Sequence, residues 1–278
     1  MTTKRSRSLK DQTEAVFSLA RHLQNQLADN DKPETLAFSS ETLNTLEKNL
    51  DRLSLLADTA SSSTCRKLDN EGTKIWNLCA ERMRTTKDYN DIVLLCKVKA
   101  FAYAMLEAAA PRTDFGNYRS LELAFRGVKA CLRYGLTDLS QKMMASAAAR
   151  LDMLQQTEKN ADNPKLSTFT TEYYMLRIHV AWSQGRADIA DHLFSKTPEI
   201  KTKEQQEVVV DICYSIGNAA LSTNQNEPAA TWLGRALTAC ESVTHDGSYE
   251  VDRSFGDKKL VVLHAFGEVS RAPQVLGF

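Results

Sequence analysis

Gly135-Leu-Thr-Asp138-Leu-Ser-Gln-Lys-Met143-Met144 and Gly185-Arg-Ala-Asp188-Ile-Ala-Asp-His-Leu193-Phe194 follow one pattern. Asn224-Gln-Asn-Glu227-Pro-Ala-Ala-Thr-Trp232-Leu233 is a weaker third copy. In each, a turn residue closes one helical stretch, and an acidic residue three places on opens the next. Two large apolar residues then land five and six positions beyond the acid. An internal repeat of this kind is the mark of stacked helical hairpins. A stack of hairpins is a surface for holding other proteins and rarely carries chemistry.

The flanking residues extend the pattern. Tyr118–Tyr134 and Leu139–Leu154 read as one hairpin, Thr168–Gln184 and Ala187–Ser195 as a second, Glu204–Leu221 and Glu227–Val243 as a third. A polar linker from Thr157 to Lys165, containing Asn163-Pro164, separates the first two, and Thr197-Pro198 breaks the chain before the third. The matched turns lie 50 and then 39 residues apart. Strict tetratricopeptide repeats recur every 34 or so, so these units are irregular members of that class. Ala145-Ser-Ala-Ala-Ala149, Ala219-Ala220 and Ala229-Ala230 place small side chains where helices approach closely. Trp182, Phe194 and Trp232 are large enough to fill the spaces between layers.

Upstream, Val16, Leu19, Ala20, Leu23 and Leu27 recur at helical spacing, as do Leu43, Leu46, Leu50, Leu53 and Leu56 after Ser39-Ser40-Glu41. Ser61-Ser62-Ser63 interrupts before a helix carrying Leu68, Ile75, Trp76, Leu78, Cys79 and Met83. Asp88 to Ala110 is apolar on most sides, as a helix packed on more than one face must be. Asp257–Phe266 begins a last helix, after which the periodicity lapses, as it would in a truncated array. The expectation is an all-α, tetratricopeptide-like hairpin array, an α-solenoid wound as a right-handed superhelix, over residues 11–266. A disordered basic tail (1–10) precedes it and an irregular segment (267–278) follows.

Composition agrees. The 278 residues are 42% hydrophobic and 25% charged, ordinary values for a folded protein. Gly and Pro number only 11 and 6, which favours long helices joined by short loops. Lys+Arg and Asp+Glu are equal at 35 each, so bulk electrostatic binding to nucleic acid or anionic membrane is not expected. No run reaches the ~18 apolar residues of a membrane span, and Met1–Lys10 lacks the apolar core of a secretory signal. Lys4-Arg5-Ser6-Arg7 reads as a solvated tail. The six cysteines (65, 79, 96, 131, 213, 240) show no CxxC pair and read as buried thiols of a soluble, intracellular protein.

Motifs of catalysis or cofactor binding are missing: no GxxxxGK, GxGxxG, HExxH or GxSxG occurs. Asp188 and His192, at i and i+4, could form an acid–base or metal pair, but a helix-surface pair is the simpler reading. His179, between Ile178 and Val180, reads as a residue at the core edge. No cofactor, metal or small-molecule substrate is expected. If the array binds a peptide, Tyr173, Arg177 and Trp182, with Tyr174, are the candidate contacts, because aromatic and arginine side chains dominate protein recognition.

Two blocks carry a family resemblance. Glu71-Gly-Thr-Lys-Ile75-Trp76-Asn77-Leu78-Cys79 resembles the "LWNL" helix of a fungal meiotic family. Tyr173-Tyr174-Met-Leu-Arg177-Ile-His-Val-Ala181-Trp182-Ser-Gln-Gly185-Arg186-Ala-Asp188-Ile-Ala190 resembles its most recognisable hairpin. The family is the Zip-four / sporulation-specific-protein-twenty-two group of tetratricopeptide-like scaffolds, and the resemblance runs from about Leu36 to His264, an N-terminal portion of longer members. It implies a non-enzymatic nuclear protein on meiotic chromosomes. Such a protein links recombination factors to the chromosome axis in crossover formation and synaptonemal-complex assembly. The alternative from the residues alone is a general adaptor subunit of a larger intracellular complex.

Overall fold

The computed structural model describes residues 2–28, 36, 38–56, 60–110, 118–157, 163–241 and 253–271. Among these residues there are eleven helices and no strand. They are α1 (Thr2–Ala28), α2 (Ser40–Leu56), α3 (Ser62–Thr85), α4 (Tyr89–Ala109), α5 (Arg119–Arg133), α6 (Thr137–Thr157), α7 (Pro164–Ser183), α8 (Ala187–Phe194), α9 (Lys203–Ser222), α10 (Asn226–Glu241) and α11 (Arg253–Arg271). The chain divides into two compact units, Met1–Lys159 and Asn160–Phe278, with the division inside the polar linker.

The three repeated turns share one backbone device. Gly135 and Gly185 have φ of +73° and +74°, and Asn224 has φ 59°. This left-handed region is open to glycine and, at a cost, to asparagine. The Gly135 amide donates to the Leu132 carbonyl (3.1 Å) and the Leu136 amide to Cys131 (2.9 Å). Gly185 to Trp182 (2.9 Å) and Arg186 to Ala181 (3.0 Å) repeat the pair, as do Asn224 to Leu221 (3.0 Å) and Gln225 to Ala220 (2.9 Å). This is the Schellman closure, which satisfies carbonyls that a helix end otherwise leaves orphaned.

The residue that completes each closure also opens the next helix. Leu136, Arg186 and Gln225 carbonyls accept from Ser140, Ala190 and Ala229. Asp138, Asp188 and Glu227 then stand in the first turn, where the helix dipole favours a negative charge. The spacing from turn residue to acid is thus a hairpin written in sequence.

In the first unit, α3 packs on α4 and α5 on α6, while α1 lies against α2 and α3, α2 against α4, and α4 against α5. In the second, α7 packs on α8 and α9 on α10, α7 lies beside α9, and α11 covers α10. The hairpin-array reading therefore holds within each unit. α9 and α10 approach closely because position 217 is glycine: a Cβ there would lie 2.7 Å from Leu233 Cγ and 3.1 Å from the Leu233 nitrogen.

Helix starts follow their caps. The Thr64 amide donates to Ser61 Oγ (3.3 Å), and the Asp91 amide to Asp88 Oδ1 (3.0 Å). Asn163, read from the sequence as linker, is the cap of α7: its Oδ1 accepts from Lys165 (3.0 Å) and Leu166 (3.2 Å), with Pro164 in the first turn. α9 opens with a capping box, Gln205 N–H to Thr202 Oγ1 (3.3 Å) and Thr202 N–H to Gln205 Oε1 (3.1 Å). α8 stops at Phe194, shortly before Pro198, and is the shortest helix described, at 8 residues.

Two boundaries depart from the periodicity. α1 begins at Thr2, inside the stretch 1–10 read as a tail, because no Gly or Pro there stops the helix. α11 runs on through Gly267 to Arg271, since one glycine weakens a helix by only about 1 kcal/mol. Residues 272–278 lie outside the described residues.

Candidate functional site

α7 carries the residues singled out for recognition. Tyr173 and Arg177 come together: one turn apart, they place the guanidinium carbon 5.7 Å from the tyrosine ring centroid, with Arg177 exposed. Tyr174 meets Tyr173 edge to face at 5.9 Å. Trp182 does not join them. Nine residues beyond Tyr173, it lies roughly 180° around the helix, where it is half-buried against Trp232 at 6.1 Å.

Trp182 belongs to a wedge between helices. Phe194 from α8 packs edge to face on Trp232 at 5.6 Å. The Arg235 guanidinium lies 4.4 Å from Phe194 and 4.3 Å from Trp232, and its Nη1 donates to Asp191 Oδ1 at 2.7 Å. Trp182, Phe194 and Trp232 thus fill the space between layers, as their size suggested. Arg235 and Asp191 escaped the sequence reading because they meet across 44 positions of chain. Two buried glutamines escaped it too: Gln205 Nε2 donates to Ser167 Oγ (2.7 Å) and Gln206 Nε2 to the Ala239 carbonyl (2.8 Å).

The remaining titratable candidates are dispersed. Asp188 and His192 are both exposed on α8. Burial pushes the His179 imidazole down to about 4, so it is neutral at ordinary pH. Among the described residues no group of three or more His, Cys, Asp and Glu is placed to hold a metal ion, and no helix is long and apolar enough to cross a membrane. Five cysteines are buried, and Cys65 is half-buried.

α11 presents a different surface. Val262 and Ala265 turn inward, whereas Leu260, Val261 and Leu263 are exposed by 64%, 50% and 45%. Lys258 fixes the helix to α9, with Nζ 3.1 Å from Asp211 and 3.6 Å from Glu207. Partial burial works to lower the Lys258 ammonium, but those two carboxylates outweigh it and hold the group above its usual value. The sequence showed a helix here but not its outward apolar side.

The family model described as "Meiosis protein SPO22/ZIP4 like" matches residues 180–267. The match begins in the last turn of α7, takes in α8, α9 and α10, and ends within α11. It includes Trp182 and the Gly185–Ala190 half of the second resemblance block, and leaves Tyr173, Arg177 and the Glu71–Cys79 block outside. Over these residues the chain is similar to a meiosis protein family, the one its sequence resembled. No curated protein matches the chain, and no solved structure does.

Proposed function

We propose that this chain is a non-enzymatic helical-repeat scaffold that joins proteins on meiotic chromosomes and supports recombination, crossover formation and synaptonemal-complex assembly. The observation that carries this reading is the match to a meiosis family over residues 180–267, which takes in the last turn of α7, all of α8, α9 and α10, and much of α11. Stacked hairpins offer a continuous surface on which several weak sites act together. Holding two partners on one body raises the effective concentration of each for the other, so overall avidity exceeds either single affinity. In this reading the protein works in the nucleus, its partners are chromosome-axis and recombination factors, and Tyr173 with Arg177 forms one contact. Trp182 holds α7 on α10 behind that contact.

Deleting the coding sequence in its own organism tests the reading. The expected result is fewer crossovers and defective synapsis, with vegetative growth unchanged. Normal meiosis, or an equal defect in vegetative cells, overturns it. A Tyr173→Ala/Arg177→Glu chain tests the contact. It should melt like the parent yet fail to restore crossovers, and full restoration removes those two residues from the proposal.

A further inference from the structure

In the first unit, α3, α4, α5 and α6 meet around a cavity of about 270 Å³. Buried Leu106 of α4 and buried Arg150 of α6 line it. Ala109 and Ala110, where α4 ends, are too small to fill the space, and Leu123 of α5 adds to the apolar wall. Arg66 of α3 and Arg119 of α5 are exposed and line it too. Three arginines therefore surround the cavity, against one lining carboxylate, Asp69.

The three cations are not equally committed. Arg150 is held by Glu107 at 2.9 Å, and Ser120 Oγ donates to the second oxygen of that carboxylate, so Arg150 is a fixed part of the wall. Arg119 uses its fork at the surface, with Nη1 donating to Asp69 Oδ1 (2.8 Å) and Nη2 to Thr73 Oγ1 (2.7 Å). Arg119 and Asp69 are each 48% exposed, so water competes with their pairing and a stronger anion can replace the carboxylate. Arg66 has no carboxylate within ion-pair distance among the described residues.

We propose that this cavity is a docking pocket for a phosphorylated serine or threonine of a partner protein, gripped by Arg66 and Arg119, with Asp69 as the anion it displaces. Charge chooses the ligand first. A phosphate monoester brings about −1.5 to −2 charge and three acceptor oxygens, against the single charge of Asp69. Two exposed guanidiniums match that charge, and their planar forks bind phosphate oxygens in pairs. Size chooses next. Pockets that hold whole small molecules run from roughly 300 to 1,000 Å³, so this one admits a side chain rather than a nucleotide, its stem against Leu106, Ala109 and Leu123. The chain as a whole is neutral, so recognition falls to this local pair of cations. A partner contact here rests on the scaffold reading, yet binding by the purified chain is measured independently of crossover formation.

The test is fluorescence anisotropy of the full chain with degenerate peptide pools carrying one central phosphoserine or phosphothreonine, beside the same pools unphosphorylated. The phosphorylated pools should bind and the unphosphorylated ones should not. Arg66→Gln should melt like the parent and bind about tenfold more weakly, as should Arg119→Gln in binding. Asp69→Asn should strengthen binding about two- to fivefold, whereas Glu81→Gln, which removes an exposed acid elsewhere on α3, should not. Equal binding of phosphorylated and unphosphorylated pools overturns the proposal, and so does an Arg66→Gln chain that binds like the parent. Inorganic phosphate binding as tightly as the peptides would make this a site for the bare anion and overturns the partner. Binding seen only after Asp114→Asn, in the segment between Ala110 and Tyr118, would make the chain's own acid the occupant and overturns it too.

Discussion

Arg150 in the first unit and Arg235 in the second each lie on the later helix of a hairpin, and each donates to a carboxylate. Arg150 is 4% exposed and its partner Glu107 15%, with the guanidinium 2.9 Å from Glu107 Oε1 and Ser120 Oγ donating to Oε2. Arg235 is 23% exposed and its partner Asp191 53%, and two aromatic rings flank the cation. The first pair ties α4, α5 and α6 through charge removed from water. The second is an aromatic wedge with an ion pair at its rim. An ion pair's worth is decided by what removing one half leaves behind, and burial sets that remainder.

The largest expected effect separates the two. Glu107→Ala takes the carboxylate away from a buried guanidinium and should cost about 3–5 kcal/mol in a urea titration. Replacing the group together, Glu107→Leu with Ser120→Ala and Arg150→Met, should recover most of that loss, because apolar side chains of similar volume leave no charge unpaired. If the triple variant is as unstable as Glu107→Ala, the pair contributes more than it costs to bury.

A second effect, in the other unit, runs with pH. The His179 imidazole titrates at about 4 in the folded chain and near 6.5 when unfolded. Between those values the unfolded state binds a proton that the folded state does not, so stability rises with pH. The stabilising contribution is fully present above about pH 6.5 and is lost as pH falls toward about 4, at no more than about 1.4 kcal/mol per pH unit. His179→Gln should flatten this slope relative to the parent in melts across that range. Parallel profiles would mean that the histidine is solvated.

Arg235→Ala should be milder, about 1–2 kcal/mol, because it removes stacking and stem packing but strands no buried charge. Asp191→Ala should cost under about 1 kcal/mol, since its carboxylate is mostly in water. Comparing the two in thermal melts sharpens the contrast with Glu107. Should Asp191→Ala match Arg235→Ala, the salt bridge rather than the rings holds the wedge.

What could be read from the sequence was local. A glycine or asparagine in the left-handed region followed by an acid at the next helix start is a short-range signal, and it located all three hairpins of the repeat region. Tyr173 and Arg177 could be paired because one turn of helix separates them. Trp182 looked like their companion only because it is near in sequence, and helical periodicity turns it toward Trp232. Asn163-Pro164 resembled a break, yet cap and first-turn proline are the same residue types used to begin a helix. Glu107, Ser120 and Arg150 come from different helices. Only the stacking of α4, α5 and α6 brings them together, so no spacing rule could have found them.

The smallest expected effect lies in the repeated turns, where the three copies differ by one residue. Gly135→Ala and Gly185→Ala force a Cβ into the left-handed region, where no atom crowds it but the backbone conformation itself is strained by about 1–2 kcal/mol. Asn224 already bears that strain, softened by its short polar side chain. Asn224→Gly relieves it in the folded chain but loosens the unfolded chain by a comparable amount, about 0.4–1 kcal/mol. The expected outcome is a net change within about 0.5 kcal/mol in a urea titration, against a clear loss for either glycine. A gain of more than about 1 kcal/mol from Asn224→Gly would mean that the weaker third copy of the repeat is held under real strain by its neighbours α9 and α10.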